Sequence, residues 1–442
     1  MNYRETLDFL YTRLPMFQRV GAAGFKNGLV GVQKLVAAMG HPEGRFRSVH
    51  VAGTNGKGSS SHLLAATLQA AGYRTGLYTS PHLREFTERI RLDGRELSPE
   101  YLVAWVEKWR GLFDEVQPSF FEMCVALCYD YFAAERVDVA VIEVGLGGRL
   151  DSTNIITPLV SLITNISYDH QAILGDTLPL IAAEKAGIIK PGVPAVISQT
   201  QAEVQAVFEQ VAAERGAPLT LADQHYRAEL LRDEPAAASQ HLRLWREGTV
   251  WLDEVELGLV GDYQRLNLPG VLATVDELRR LGFAITDEHL RQGLRAVQQL
   301  TGLRGRWQVI AHRPLTICDT AHNEAGLRMV AGQLRRLRYQ RLHVVLGMVA
   351  DKDLGKGLAL LPPEATYYFC AAAIPRALPA EELAALAEAH GLHGPVCGPV
   401  AAALAEARRR AAPEDAIFVG GSTFVVAEVP DLYAAGNAAG EA

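Results

Sequence analysis

His50-Val-Ala-Gly-Thr-Asn-Gly-Lys-Gly-Ser59 is the stretch on which the fold of this chain turns. The apolar run Ser48–Ala52 enters it as a strand. A helical pattern over Ser59–Ala71, closed by Gly72, leaves it. Strand, glycine turn and helix in that order make a phosphate cradle. Glycines let backbone amides approach phosphate oxygens, and the helix N-terminus adds partial positive charge. Lys57 supplies charge to the β and γ phosphates, and the Ser59 hydroxyl can face a magnesium ion. The spacing departs from G-x-x-x-x-G-K-[ST]: Val51 stands at the first glycine and Gly58 separates Lys57 from Ser59. A shorter loop remains, from Gly53 through Thr54, Asn55, Gly56, Lys57 and Gly58 to Ser59.

Outward from this loop, apolar runs alternate with helical patterns. Gly76–Tyr78, Val137–Val144 and Leu159–Ile166 read as strands, and Ser119–Arg136 and Thr177–Ala186 as helices. Strands that are apolar throughout and separated by helices predict a mostly parallel sheet covered on both faces. Residues 217–260 break the pattern: His241–Leu244 and Thr249–Leu252 alternate, which predicts a small β insertion. Helices follow near Leu266–Leu281 and Asp287–Leu300, then a linker over Thr301–Arg306. Five further strands, at Trp307–Ile310, Leu315–Cys318, Leu342–Leu346, Tyr367–Cys370 and Ala416–Val419, predict a smaller Rossmann-like α/β domain. The expectation is therefore two α/β domains: a P-loop-type N-terminal domain over 1–300 and a C-terminal domain over 301–442. The last few residues read as frayed.

The composition fits this reading. A chain of 442 residues with 49% hydrophobic residues can build two such cores. With 43 basic against 50 acidic residues, a net charge of −7 and no basic tract, nucleic acid is not expected as a partner. No apolar run of membrane-spanning length and no signal peptide is read. The five cysteines are odd in number, widely spread and lack a CxxC pair, which predicts a reducing, cytoplasmic setting.

Ligands of open α/β sheets gather beyond the carboxyl ends of the strands. Three more segments end strands there: Tyr78-Thr-Ser-Pro-His82, Val141–Arg149 and Thr164–His170. Ser80, Glu143 and His170 would thus converge near the terminal phosphate as a magnesium shell. Glu143 stands out, because a carboxylate ending an apolar strand must be paired or coordinated. Gly145-Leu-Gly-Gly-Arg149 lacks the dinucleotide-binding spacing, so an oxidoreductase is disfavoured.

Taken together, HVAGTNGKGS, LYTSPHL, SFFEMCVAL, EVGLGGRLDSTN, ISYDHQAILGDTL with EKAGIIK, CDTAHN, GMVADKD, RAL and GSTFVVAE resemble the folylpolyglutamate synthase/dihydrofolate synthase family, a branch of the Mur ligase superfamily. They run in family order from residue 50 to 428. The resemblance implies an ATP-dependent ligase that adds L-glutamate to dihydropteroate or to the γ-carboxylate of folates through an acyl phosphate. It implies ATP, two magnesium ions and a monovalent cation. It assigns the loop Gly53–Ser59, Asn267, Arg306 and Asp319 to ATP, with the last two beyond the linker, and His322 to the vicinity of the phosphates. It assigns Ser59, Ser80, Glu143 and His170 to magnesium. Ser119, Phe120, Phe121, Glu122, Leu150, Asp151 and Ser152 would contact the pterin. Lys185 matches a lysine that relatives carbamylate with CO2, which turns a cation into a second metal-binding carboxylate. From the residues alone, Lys185 reads as a solvated helix lysine. Lys57, Glu143, His170, Lys185 and His322 make up the expected catalytic set. The chain has Asn323-Glu324 where several relatives have Asn-Pro, and Ser119 where Thr is frequent. The alternatives are another Mur-type ligase of cell-wall precursor synthesis and a regulatory nucleotide hydrolase. A monomer handling only small molecules is expected.

Overall fold

The structure is a computed structural model that describes residues 1–14, 28–234, 236–350 and 354–433. Asp351–Asp353 of the GMVADKD motif and the tail read as frayed lie outside the described residues. The chain divides into two compact units. One comprises Met1–Leu231, Leu242–Glu256 and Arg265–Gly302; the other comprises Arg232–His241, Leu257–Gln264 and the chain from Leu303 onward.

The first unit is built on an eight-stranded sheet: β1 (Arg47–Ala52), β2 (Thr75–Tyr78), β3 (Ile90–Leu92), β4 (Arg95–Glu96), β5 (Val139–Glu143), β6 (Val160–Ile163), β7 (Ala195–Ile197) and β8 (Leu219–Leu221). Their order is β4-β3-β2-β5-β1-β6-β7-β8. From β2 to β8 every neighbouring pair is parallel, and β3 and β4 add an antiparallel edge. The strands expected from their apolar runs are there, because a strand covered on both faces has no polar side to show. One face packs the helices Val30–Ala38, Pro99–Val116 and Phe120–Ala134 over Tyr78, Ala140 and Ile142. The helix Lys57–Ala70 is buried at every residue from Ser59 to Leu68, so the phosphate loop opens into a fixed element.

The β insertion begins later than expected. Leu219–Leu221 pairs parallel with β7 and closes the main sheet, while the separate three-stranded sheet is β9 (Tyr226–Leu230), β10 (Gln240–Arg246) and β11 (Thr249–Leu257). A run of three residues is too short for periodicity to assign it to either sheet. The expected helix over Asp287–Leu300 is two helices, Asp287–Arg295 and Val297–Thr301, broken at Ala296.

The second unit holds a six-stranded sheet, β12 (Gln308–His312), β13 (Leu315–Cys318), β14 (Leu342–Leu346), β15 (Thr366–Ala371), β16 (Val396–Pro399) and β17 (Ala416–Gly420), in the order β12-β13-β17-β14-β15-β16. β12 is antiparallel to β13 and the remaining pairs are parallel. Trp307, expected to open the first strand, sits instead in the left-handed region at φ 47°. β16 was not expected: Val-Cys-Gly-Pro reads as a turn, and its pairing with β15 is supplied by the fold. Side-chain bonds explain why Arg232–His241 and Leu257–Gln264 group here rather than with the first 300 residues. Gln240 donates to the Leu259 and Gly261 carbonyls (both 3.0 Å), and Gln333 bonds both Val260 and Asp262 (2.8 Å each). Arg336 pairs with Asp262 and with Asp233.

Candidate active site

Because β2, β5, β1 and β6 are neighbours, their carboxyl ends bring the four sequence segments together. Glu143 is in register with Val51, and the Val144 amide donates to the Val51 carbonyl (2.9 Å). The acidic strand end therefore lies beside the strand that feeds the phosphate loop. Ser80 follows β2, and its amide donates to Glu143 Oε2 (3.1 Å).

The loop is held open by the segment after β6. The Thr54 amide donates to the Asn165 carbonyl (2.8 Å), the Asn55 amide to Asn165 Oδ1 (2.9 Å), and Thr164 Oγ1 to the Asn55 carbonyl (2.6 Å). Thr54 and Ser167 bond each other through hydroxyl and backbone. Two glycines permit this closeness. Gly53 lies at φ +144°, and a Cβ there would sit 1.8 Å from Thr164 Oγ1; Gly56 lies at φ +86°, and a Cβ would sit 2.2 Å from Asn267 Oδ1. Gly53→Ala is therefore expected to cost several kcal/mol of local strain and clash, at the upper end of ~1–3 kcal/mol for backbone strain alone. Calorimetry should show nucleotide affinity lost with it, and wild-type affinity would contradict the loop's role. Gly56 caps the helix Lys57–Ala70 without a side chain, so no side-chain cap competes with an anion for the first-turn amides.

Lys57 and Lys185 meet at this turn. Lys57 Nζ donates to the Gly53 and Thr54 carbonyls (3.1 and 3.2 Å), and Lys185 Nζ donates to the same Gly53 carbonyl (2.9 Å). Lys185 is only 4% exposed, which corrects its reading as a solvated helix lysine. The helix Leu178–Ala186 turns it inward, against the loop. Burial, and then the neighbouring Lys57 charge, bring its amine down to about 7 against the pull of Asp169, Asp151 and Glu184.

Glu143 is 5% exposed. His170 sits in the left-handed region at φ 50°, with its ring 3.7 Å from the Asp169 carboxylate. Among the described residues no three His, Cys, Asp or Glu side chains gather into a metal cluster. The expected shell has only two of these, Glu143 and His170, completed by the Ser59 and Ser80 hydroxyls. That oxygen-rich, low-charge set fits magnesium, which keeps several of its own waters.

The segments expected at the pterin carry structural bonds of their own. Ser119 and Glu122 form a reciprocal capping box on the helix Phe120–Ala134. Phe120 is in the core, and Asp151 accepts from the Leu146 amide and from both the amide and hydroxyl of Thr153. Burial, only partly opposed by these bonds, raises the Asp151 carboxyl. Ser152 is buried, while Phe121 and Leu150 are part-exposed. Phe121 lies against Gly145, where a Cβ would be 2.4 Å from its ring.

Of the residues assigned to ATP, Asn267 belongs to the first unit and lies against Gly56. In the second unit, Asp319 accepts from Tyr263 OH (2.6 Å) and from the Trp307 and Ala321 amides (2.7 and 2.8 Å), and burial raises its carboxyl. Arg306 donates to Thr320 Oγ1, and His322 Nδ1 lies 3.0 Å from the Thr320 carbonyl. These bonds pin the 304–308 turn to the CDTAHN segment. The sequence reading brought the Thr164–His170 segment to the site but gave Thr164 and Asn165 no role, although they shape the loop; their place directly after β6, opposite the glycine turn, is what gives them one.

The chain matches the Mur ligase middle domain over residues 51–275 and the Mur ligase glutamate ligase domain over 305–423. It is 34% identical to the Bacillus subtilis dihydrofolate synthase/folylpolyglutamate synthase, over 86% of this chain and 88% of that one. It is 35% identical to a probable bifunctional folylpolyglutamate synthase/dihydropteroate synthase of Haloferax volcanii, half of whose length it spans. The Escherichia coli FolC structure in complex with DHPP and ADP superposes with TM-score 0.85 at 30% identity, covering 98% of both chains. The Yersinia pestis bifunctional enzyme complexed with AMPPNP and Mn ion superposes with TM-score 0.82 at 31% identity, covering 97% of both. Fold and matched domains thus define a Mur ligase, an ATP-dependent ligase. Within that class, the chain belongs to the folylpolyglutamate synthase/dihydrofolate synthase family.

Proposed function

We propose that this enzyme joins L-glutamate to dihydropteroate, to the γ-carboxylate of reduced folates, or to both. The observation that carries the reading is the register of Glu143 beside the strand leading into Gly53–Ser59, which brings an anion cradle and a metal-competent carboxylate to one place. A free carboxylate does not condense with an amine in water, so it must be activated. A carboxylate oxygen of the pteroyl substrate attacks the γ-phosphorus and ADP leaves, giving an acyl phosphate. The glutamate amine then attacks the acyl carbon, phosphate leaves, and the amine's proton passes to solvent or phosphate.

Lys57 and the first-turn amides bind and orient the phosphates, and so supply most of what phosphoryl transfer requires of a protein. Magnesium, held by Ser59, Ser80, Glu143 and His170, would neutralise charge on the transferring group. Lys185 suits carbamylation, since a buried amine with its proton lost near neutrality is nucleophilic toward CO2. As pH falls through about 7 the ammonium returns and the reaction stops. Protein depleted of CO2 at pH 6 is therefore expected to lose most of its activity and to regain it with bicarbonate at pH 8. Carbonyl-carbon NMR with labelled bicarbonate should show the adduct, and no signal together with no bicarbonate response would remove this role.

The assignment is tested by phosphate release and product mass with ATP, magnesium and glutamate, in the presence of dihydropteroate, of tetrahydrofolate, or of neither. Release without either folate substrate would favour a nucleotide hydrolase, and activity only with a cell-wall precursor would favour the other ligase branch.

A further inference from the structure

The helix Gln264–Arg280 carries Pro269 in its second turn. A proline there removes a backbone donor and crowds the carbonyl four residues back, so the turn before it needs outside support. Ser198 provides it. This residue directly follows β7, is fully buried, and is fixed to the sheet by its own amide, which donates to the Ile163 carbonyl (2.8 Å). Its Oγ accepts from the Gly270 amide (3.1 Å) and donates to the Leu266 carbonyl (3.1 Å), with the Asn267 carbonyl at 3.4 Å. Gly270 and Leu266 are a helical i→i−4 pair, so the hydroxyl bridges one rung of the ladder beside the proline. Only glycine allows this approach: a Cβ on residue 270 would lie 2.6 Å from Ser198 Cβ and 2.8 Å from Leu162 Cδ1. The supported turn is the one that carries Asn267, which is 3% exposed and whose carboxamide oxygen lies against Gly56.

We propose that Ser198 and Gly270 are positioning residues for ATP. The sheet-anchored hydroxyl fixes the height at which the proline-weakened turn presents Asn267 to the phosphate loop. The inference rests on the reading of Asn267 as a nucleotide contact. Loss of the hydroxyl leaves the Gly270 donor and Leu266 acceptor to find each other across a distorted rung, and Asn267 moves with them.

The test uses the full-length protein as wild type, Ser198→Ala, Asn267→Ala and the double variant, with steady-state kinetics in ATP and in the pteroyl substrate and calorimetry with ADP. Ser198→Ala is expected to raise the KM for ATP and the Kd for ADP about tenfold, with kcat and the pteroyl KM within about twofold. Asn267→Ala should raise both nucleotide constants at least as much, and the double variant should be no worse than Asn267→Ala, because both changes act through one group. A merely structural hydroxyl would lower Tm without moving KM per folded molecule. Ser198→Cys, a weak donor of similar volume, should fall between and carries the test if the alanine variant does not fold. Unchanged ATP KM in Ser198→Ala, or full additivity in the double variant, overturns the proposal. An effect of Ser198→Ala with none from Asn267→Ala overturns the route through Asn267 and leaves the ligase reading standing.

Discussion

Replacing Lys57 with alanine is expected to remove ligase turnover, by about 10³-fold or more, while leaving the fold intact. Among the described residues the ammonium bonds the two carbonyls of its own loop, Gly53 and Thr54, and it is part-exposed, so its loss opens no cavity in the core. Its charge is what the phosphates would lose. At a partly desolvated site, one positioned cation can decide the rate of a phosphoryl transfer that needs no covalent help. The measurement is phosphate release under saturating substrates, with circular dichroism and Tm to show an unchanged fold. The same variant takes away a cation that holds the Lys185 amine down, so its carbamylation should shift to higher pH. Full activity in this variant would remove the loop from the chemistry.

Glu143→Ala is expected to cost as much, through a different property. This carboxylate is 5% exposed, ends an all-apolar strand and accepts a hydrogen bond from the Ser80 amide. A buried carboxylate at the end of an apolar strand, next to a phosphate-binding turn, is suited to hold a cation. Paramagnetic titration with Mn²⁺ should show affinity falling by about 10–100-fold, the range seen when a site's supporting groups are removed. Turnover should fall in parallel, and Glu143→Gln, which keeps the volume, should be no better. Wild-type Mn²⁺ affinity in both variants would dissociate Glu143 from the metal.

Much of the fold could be read in the chain because its strands are apolar on both faces and its helices are amphipathic or buried. Such patterns survive any detail of packing. The loop was legible for a related reason: Gly53 and Gly56 occupy backbone conformations that glycine alone adopts readily. What escaped was short or non-local. β16, with glycine and proline in four residues, is a strand only because β15 offers it a partner. Leu219–Leu221 could not be assigned to one sheet or the other before β7 claimed it. Ser119, Glu122 and Asp151 were expected as substrate contacts, and their local bonds show what spacing could also have suggested, a capping box and a turn.

Lys185 marks the boundary most clearly. The sequence by itself determined two α/β units, a glycine turn able to cradle phosphate and an acidic strand end, because period, glycine conformation and the cost of a buried carboxylate are properties of short segments. It could not determine that a lysine 132 residues away would donate to the same Gly53 carbonyl as Lys57, or that Ser198 would brace the turn carrying Asn267. Those relations were decided by the order in which the strands sit side by side. Strand order is an outcome of global packing, and it is what sets the dielectric surroundings and charge neighbours from which a side chain takes its chemistry.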